Sequence, residues 1–198
     1  MSTDNTTGIT APVRSSVGDA VGLSQRPRWL VAVVGNNTEK RSAKRLADAG
    51  YDVYVATQRE CRVWRDGRKA LVDRVVIPTV VFVRCRDDER AALLAMPYIH
   101  RFLPDRARRV GNAPSPVAVV PDYDIDRLRF ILGNSSVPVF FDNRTFQRGQ
   151  RVRVLRGSLR GLIGEVMRDN DAGAELLIRL EVLGCARCSI APEDCEMC

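Results

Sequence analysis

Four cysteines near the C-terminus have the spacing in this chain that most suggests chemistry. Cys185-Ala-Arg-Cys188 and Cys195-Glu-Met-Cys198 are two CxxC pairs with six residues between them, and paired CxxC motifs are typical of zinc sites with thiolate ligands. That spacer is shorter than in common zinc ribbons. If the first pair lies on an extended strand, its side chains point to opposite faces, so Cys185 and Cys188 chelate together only where the strand is broken.

The favoured interpretation of these cysteines is therefore a buried thiol in the first pair, free thiols at the C-terminus, and no cofactor. Zinc remains a secondary hypothesis, with the candidate ligands Cys185, Cys188, Cys195 and Cys198.

No catalytic constellation accompanies the cysteines. The single histidine, His100, has no recognisable catalytic neighbour in the sequence. The chain also lacks a P-loop, a dinucleotide fingerprint and a nucleophile elbow. We therefore predict no catalytic residues and no enzyme activity.

Basic residues are the next candidates for function, since the chain of 198 residues carries a formal net charge of +7. A helix is predicted after Asn37, and its basic residues form like-charge pairs at i,i+4 that repel each other. This face predicts contacts with nucleic-acid phosphates, although a solvated helix face explains the same pattern. Weaker candidates flank the turn Asp66-Gly67. The predicted nucleic-acid-binding residues are Lys40, Arg41, Lys44, Arg45, Arg65 and Arg68.

The cellular setting follows from hydropathy. No stretch approaches the ~18 apolar residues of a membrane-spanning helix, and the N-terminus lacks the charged and apolar regions of a secretory signal. We expect a cytoplasmic monomer without a membrane partner, in which cysteines persist as thiols or metal ligands rather than disulfides.

The elements that position these residues fall into two units. Residues 1–27 are predicted to be a flexible tail. Residues 28–132 alternate β-α-β, a hairpin, β-α-β and a closing helix, which predicts an α+β domain with a mostly antiparallel sheet flanked by helices. Residues 133–147 contain no clear element and are interpreted as a linker. Residues 148–192 predict a small all-β barrel of short strands, and residues 193–198 a cysteine-containing tail.

Both units resemble a known family. The stretch RGQRVRVLRGSLRGLIGEV at 148–166 resembles the KOW motif of SH3-like barrels. RWLV at 28–31, followed by the basic helix, resembles the start of the NusG N-terminal domain. VIPTVVFV at 76–83 resembles that domain's FFPGYVLV-like strand, and PYIHRFL at 97–103 its PxVxxFI-like segment. The likeness extends from residue 28 to about residue 192 and identifies the chain as a member of the NusG family.

Two departures favour a specialised subgroup of that family. The Gly-Tyr that follows the proline in the family strand is Thr79-Val80 here, and AVVP at 118–121 is similar to the specialised RfaH and UpxY-type antiterminators of polysaccharide operons. The resemblance therefore implies an operon-specific factor rather than a general one.

The resemblance also implies a partner for the N-terminal domain, the clamp helices of RNA polymerase, whose binding suppresses pausing or termination. Apolar anchors on one sheet face suit such helices. In a regular strand the odd-numbered Ile77 points to the opposite face from the even-numbered Val80 and Phe82. A bulge or bend after Pro78 would place all three on one face. Alternatively, these side chains are ordinary core. The polymerase-binding residues implied by motif positions are Ile77, Val80, Phe82, Phe102 and Val119.

Further partners implied by the resemblance are the DNA of the transcription bubble, near the basic helix, and Rho or a small-subunit ribosomal protein, at the KOW domain. The β-branched residues of 150–180 predict strands there rather than helices. Two other functions remain open. One is a KOW-containing RNA-binding protein of the ribosome or its assembly; the other, a zinc-stabilised DNA-binding module, depends on the cysteines alone.

Overall fold

The computed structural model describes residues 26–142, 149–169, 173–180 and 184–198. The predicted N-terminal tail lies almost entirely outside these ranges. The described part of the chain is a mixed α/β structure with three α-helices, two short 3-10 helices and three antiparallel sheets. The α-helices are α1 (Glu39–Asp48), α2 (Arg90–Leu94) and α3 (Asp122–Asn134).

Seven strands precede the second unit. They are β1 (Arg28–Val34), β2 (Asp52–Tyr54), β3 (Thr57–Val63), β4 (Lys69–Val75), β5 (Val80–Cys85), β6 (Ile99–Phe102) and β7 (Val119–Val120). Five of them form the main sheet in the order β2-β5-β1-β6, and β7 also pairs with β1.

Helices cover both faces of this main sheet, and the alternation of side chains along β1 shows how. Leu30 and Ala32 lie in a cluster with Leu46 of α1 and Leu93 of α2. Neighbouring Val31 lies in a second cluster, which includes the α3 side chains. Because successive strand residues point to opposite faces, an unbroken apolar run such as this suits a strand buried on both sides. The predicted sheet flanked by helices is confirmed.

Strands β3 and β4 form a separate two-stranded hairpin, paired from Thr57 with Val75 to Val63 with Lys69. The predicted hairpin is therefore confirmed. Its connection is a three-residue loop, because the amide of Gly67 donates to the Trp64 carbonyl at 2.9 Å. Gly67 has φ +80°, which closes a type I turn with a bulge.

The second unit is a six-stranded antiparallel sheet. Its strands are β8 (Phe140–Asp142), β9 (Gln150–Val154), β10 (Ile163–Asp169), β11 (Gly173–Leu180), β12 (Gly184–Ile190) and β13 (Cys195–Met197). They are arranged in the order β13-β9-β10-β11-β12-β8. The described residues of 150–180 form three strands joined by turns and no helix, so the preference for strand over helix is confirmed. No pairing between β13 and β8 occurs within the described ranges, so this sheet is open there.

Two segments predicted to lack structure contribute edge strands to this sheet. β8 lies within the interpreted linker and pairs with β12, and β13 lies within the interpreted C-terminal tail and pairs with β9. The prediction that 133–147 contains no element is therefore wrong at Phe140–Asp142. Both strands are only three residues long, and their backbone partners come from distant sequence, so local propensity does not reveal them. No helix in the described ranges is long and apolar enough to span a membrane.

Candidate functional site

The start of β5 carries the three predicted anchors that the structure brings together. Ile77, Val80 and Phe82 belong to one hydrophobic cluster on the α3 side of the main sheet. Thr79 between them has φ +62°, a left-handed conformation that is unusual for a β-branched residue. This bend shifts the alternation of side chains by one position. The predicted bend after Pro78 is confirmed.

Two contacts hold the bend in place. The Thr79 carbonyl accepts a 2.9 Å hydrogen bond from the amide of Val34. The Thr79 amide donates a 2.7 Å hydrogen bond to Oε1 of Glu39, a residue of α1 that is only 3% exposed. The basic helix and the apolar strand are therefore joined through a buried carboxylate.

The other two predicted anchors lie on the opposite face of the sheet. Phe102 is part of the α1 and α2 cluster, and Val119 packs against that cluster. The prediction that all five share one face is therefore wrong. The cause is register, because Phe102 pairs with Ala32 of β1 whereas Phe82 pairs with Val31, one residue away.

These predicted anchors are too buried to form a free docking surface. Phe82 is fully buried, and Ile77, Val80 and Phe102 are at most 8% exposed, whereas Val119 is half-buried. Ile77, Val80, Phe82 and Phe102 therefore act as core in this conformation, as the alternative interpretation expects, and Val119 packs at the edge of the core.

The cluster around Ile77 and Val80 is continuous with the second unit, since it also contains Val152 and Leu176 of β9 and β11. A polar contact reinforces this junction. Nη2 of Arg127 in α3 donates a 2.7 Å hydrogen bond to the carbonyl of Ile163 in β10. Side chains from α3 and from the second sheet thus belong to the same interior as the predicted anchors.

The basic face of α1 is exposed as predicted. Nζ of Lys44 pairs with Asp48 at 2.9 Å, and the Arg45 guanidinium lies 5.3 Å from the centroid of the Tyr98 ring. Nζ of Lys40 donates to the carbonyl of Asp73 in β4 at 2.5 Å, which places this end of the helix beside the hairpin. Arg41 has no ion-pair partner within the described ranges. The four cations line one exposed surface, where phosphate contacts would be of the backbone type.

The two predicted arginines at the hairpin tip differ in their contacts. Nε of Arg68 binds Asp66 at 2.6 Å, within the turn itself, whereas Arg65 is exposed. Sequence reasoning missed Trp64, which is 39% exposed, and Arg62, whose guanidinium lies 5.9 Å from the Trp64 ring centroid. The sequence contained a signal for them, since both residues lie in the predicted strand that leads into the Asp66-Gly67 turn.

Within the described ranges, no group of three or more His, Cys, Asp or Glu side chains is placed where it could hold a metal ion. Strand β12 runs unbroken through Cys185 and Cys188, both of which are buried. Cys195 is half-buried and Cys198 is exposed at the C-terminus. The first pair thus has the extended geometry that opposes joint chelation.

Burial raises the pKa of three thiols, Cys85, Cys188 and Cys195, and the shift is large for the first two. Burial raises the pKa of Cys188 to about 11, with a further contribution from the nearby carboxylate of Glu175. The pKa of Cys85 is likewise raised to about 11 by burial and by the neighbouring Glu89. Both side chains therefore remain neutral thiols at physiological pH, and neither is a reactive thiolate.

The chain is similar to known proteins in one family model and, at low identity, in solved structures. Among solved structures, NusG of Thermotoga maritima covers 88% of this chain and 98% of its own at 15% identity and a TM-score of 0.44. A chain of the MjSpt4:Spt5 complex in conformation A covers 86% of this chain and 97% of its own at 14% identity and a TM-score of 0.26. No curated protein matches the sequence. The family model described as "Transcription termination factor nusG" matches residues 27–129, which is more than half of the chain. The chain therefore belongs to the NusG family.

Proposed function

We propose that this chain is a transcription elongation and antitermination factor that binds the clamp helices of RNA polymerase and suppresses pausing or termination. The observation that carries the proposal is the family match over residues 27–129. That range contains the entire main sheet and most of α3. We expect the factor to act in the cytoplasm. It acts by binding polymerase and carries out no covalent chemistry.

The first contact with polymerase is assigned to the α3 face of the main sheet. Ile77, Val80 and Phe82 form a contiguous apolar set there, and an apolar sheet face suits partner helices. Since these side chains are buried, binding requires part of their cover to move. Phe102 and Val119 lie on the other face, so any role they have in binding is separate from this set.

We assign the second unit to the KOW class. Its motif-like glycines occupy positions where a larger residue does not fit: a Cβ on Gly149 would lie 2.6 Å from the carbonyl oxygen of Val166, and one on Gly164 would lie 2.8 Å from that of Leu177. Gly149 immediately precedes β9 and Gly164 lies in β10, and these two strands pair directly. Rho or a small-subunit ribosomal protein is the proposed partner of this unit.

The basic face of α1 is proposed to contact DNA of the transcription bubble. Arg41, Lys44 and Arg45 are exposed, and Lys40 connects this surface with the hairpin. Contacts of this kind neutralise phosphates, so they position the protein without reading sequence and weaken as salt rises.

We further propose that the factor is operon-specific, because Thr79 replaces the glycine expected in a general family member. Mapping its occupancy across the genome tests this. Signal restricted to a few operons supports the specialised role, whereas signal on nearly all transcribed genes refutes it.

The main alternative is a ribosomal RNA-binding protein, which the KOW-like glycines alone would also fit. Co-purification separates the two functions. Tagged full-length chain should retain core RNA polymerase rather than ribosomal subunits, and the opposite pattern would make the ribosomal assignment correct.

No metal is required in this proposal. Protein purified without chelator should contain less than ~0.1 zinc per chain and keep its structure after chelation. A stoichiometric metal whose removal unfolds the second unit would instead show that the cysteines are ligands.

A further inference from the structure

The tip of the β3–β4 hairpin presents an aromatic side chain to solvent. Trp64 is 39% exposed, whereas the other tryptophan, Trp29, is 3% exposed in the core. Trp64 does not fill a local hydrophobic cluster, since residues 61–71 are all exposed. An exposed indole has a large π-face, which nucleobases and cations use for stacking.

Cations surround this indole. The Arg62 guanidinium lies 5.9 Å from the centroid of its ring, within range of a cation–π contact. Arg65 and Lys69 are exposed and have no ion-pair partner in the described part of the chain. Arg68 is different, because Asp66 holds its guanidinium at 2.6 Å. Residues 61–71 thus include four basic residues and one acidic residue, and three of those cations remain available.

The base of the hairpin is anchored, so the tip has a fixed platform. Gln58 is 4% exposed; its amide nitrogen donates to the Val137 carbonyl at 2.8 Å, and its amide oxygen accepts from the Val139 amide at 2.8 Å. Arg74, directly opposite Gln58 in the register, binds Glu60 at 2.7 Å and the Val139 carbonyl at 2.9 Å. The tip therefore projects from a rigid support.

We propose that the hairpin tip binds single-stranded nucleic acid, with one base stacked on Trp64 and adjacent phosphates paired with Arg62, Arg65 and Lys69. Stacking requires an unpaired base, because the bases of a duplex are stacked on each other inside the helix. The excess of positive charge fits a polyanion better than an apolar protein partner. Arg62 stacks beside the indole and completes a platform of alternating π and cationic surfaces.

This inference deepens the proposed function, on which its biological setting rests, since it names the form of nucleic acid that the N-terminal unit takes. Binding is a property of the free full-length chain and needs no polymerase. A negative result therefore leaves polymerase binding intact, and a failure of polymerase binding leaves the hairpin site intact.

Fluorescence of the full-length chain tests the site directly, because it contains only two tryptophans. A 12-nucleotide single-stranded DNA should quench the emission of Trp64 in the wild-type chain. In W64F the remaining emission comes from buried Trp29 and should not change on titration. Anisotropy of the labelled oligonucleotide should show affinity reduced about 5- to 150-fold in W64A, with W64F closer to wild type because a phenyl ring also stacks.

L71A is the matched control. Leu71 is 69% exposed in the same hairpin and lies opposite Cys61, on the other face from Arg62, so its loss should not weaken binding. The logarithm of affinity should fall with the logarithm of salt concentration with a slope of about −2, from ~0.7 for each of the three phosphate contacts.

Three results would overturn the proposal: no quenching by single strands, equal affinity for a duplex of the same sequence, or an equal loss of affinity in L71A. A single-stranded RNA of the same sequence identifies the source of the ligand. Stacking of either DNA or RNA on Trp64 supports the site, and RNA binding that W64A leaves unchanged contradicts it.

Discussion

The backbone amide of Thr79 donates a 2.7 Å hydrogen bond to the buried carboxylate of Glu39, so helix α1 holds the bend that precedes β5. The same bend has φ +62° at a β-branched residue, and it places Ile77 on the same face as Val80 and Phe82. A conformation of this kind costs roughly 1–3 kcal/mol and persists only where surrounding contacts impose it.

Substitutions at Thr79 should therefore invert the usual ranking of glycine and alanine. Glycine is normally less stable than alanine by roughly 0.5–1 kcal/mol in regular structure. At this left-handed position we expect T79G to be more stable than T79A by about 1 kcal/mol. Urea unfolding of both variants measures the difference, and a T79A variant at least as stable as T79G would show that the bend is not strained.

The partner substitution is E39A, which removes the acceptor of the half-buried Thr79 amide. We expect a loss of about 1–3 kcal/mol in unfolding free energy, whereas E39Q retains an acceptor oxygen and should lose less. Equal losses in the two variants would mean that the hydrogen bond does not support the bend.

The helix–sheet junction gives a second prediction. In R127A the Ile163 carbonyl loses its charged donor, so unfolding free energy should fall by about 1.5–3 kcal/mol. Because the same junction helps to keep Ile77 and Val80 covered, weakening it should also raise affinity for polymerase, by up to about tenfold for 1.4 kcal/mol.

The exposed residue Arg106, in the loop after β6, supplies the control for R127A. R106A should change neither stability nor polymerase affinity, since Arg106 has no ion-pair partner in the described ranges. Unchanged or weaker polymerase binding by R127A would indicate that the junction does not restrict access to the anchors.

The sequence predicted more of the fold than of the site. The sequence predicted strand β1 and the bend after Pro78 correctly, because both depend on local residue types. The prediction that Phe102 and Phe82 lie on one face of the sheet was wrong, because the face of a side chain depends on strand register. The register pairs Phe102 with Ala32 and Phe82 with Val31. Strand β8 was missed because β12 stabilises it from a distance of more than forty residues.

Burial was the other property that sequence could not supply. An apolar residue at a motif position looks the same whether it faces a partner or the protein's own helix. Phe82 is fully buried here, while Trp64, which no motif marked, is exposed. A search for aromatic residues beside predicted turns would have identified Trp64 as a candidate.

Alkaline pH supplies a third prediction, from the buried thiols. Their pKa values are raised in the folded state to about 11 for Cys85 and Cys188, from an unfolded value of 9.0. The folded chain thus holds these protons more tightly than the unfolded chain does. Their contribution to stability is complete below pH 9 and is lost as pH rises from about 9 to 11.

Each thiol should contribute on the order of 2–3 kcal/mol to that loss, at about 1.4 kcal/mol per pKa unit. C188A should show a smaller decline in unfolding free energy between pH 8 and pH 11 than the wild-type chain. C61A, which removes an exposed thiol, is the matched control and should decline as the wild type does. Parallel curves for C188A and the wild type would contradict the assignment.

The central claim, polymerase binding through the α3 face of β5, can be tested with two neighbouring valines. Val80 and Val81 are both buried, at 8% and 0% exposure, but they belong to the clusters on opposite faces of the sheet. V80A and V81A remove the same atoms from the same strand. Each should reduce unfolding free energy by about 1–3 kcal/mol.

The decisive measurement is the amount of core RNA polymerase retained by tagged full-length wild-type, V80A and V81A chains, at a temperature where all three are folded. We predict that the wild type and V81A retain polymerase and that V80A retains clearly less. Equal retention by V80A and V81A, or retention of ribosomal subunits in place of polymerase by the wild type, would contradict the account.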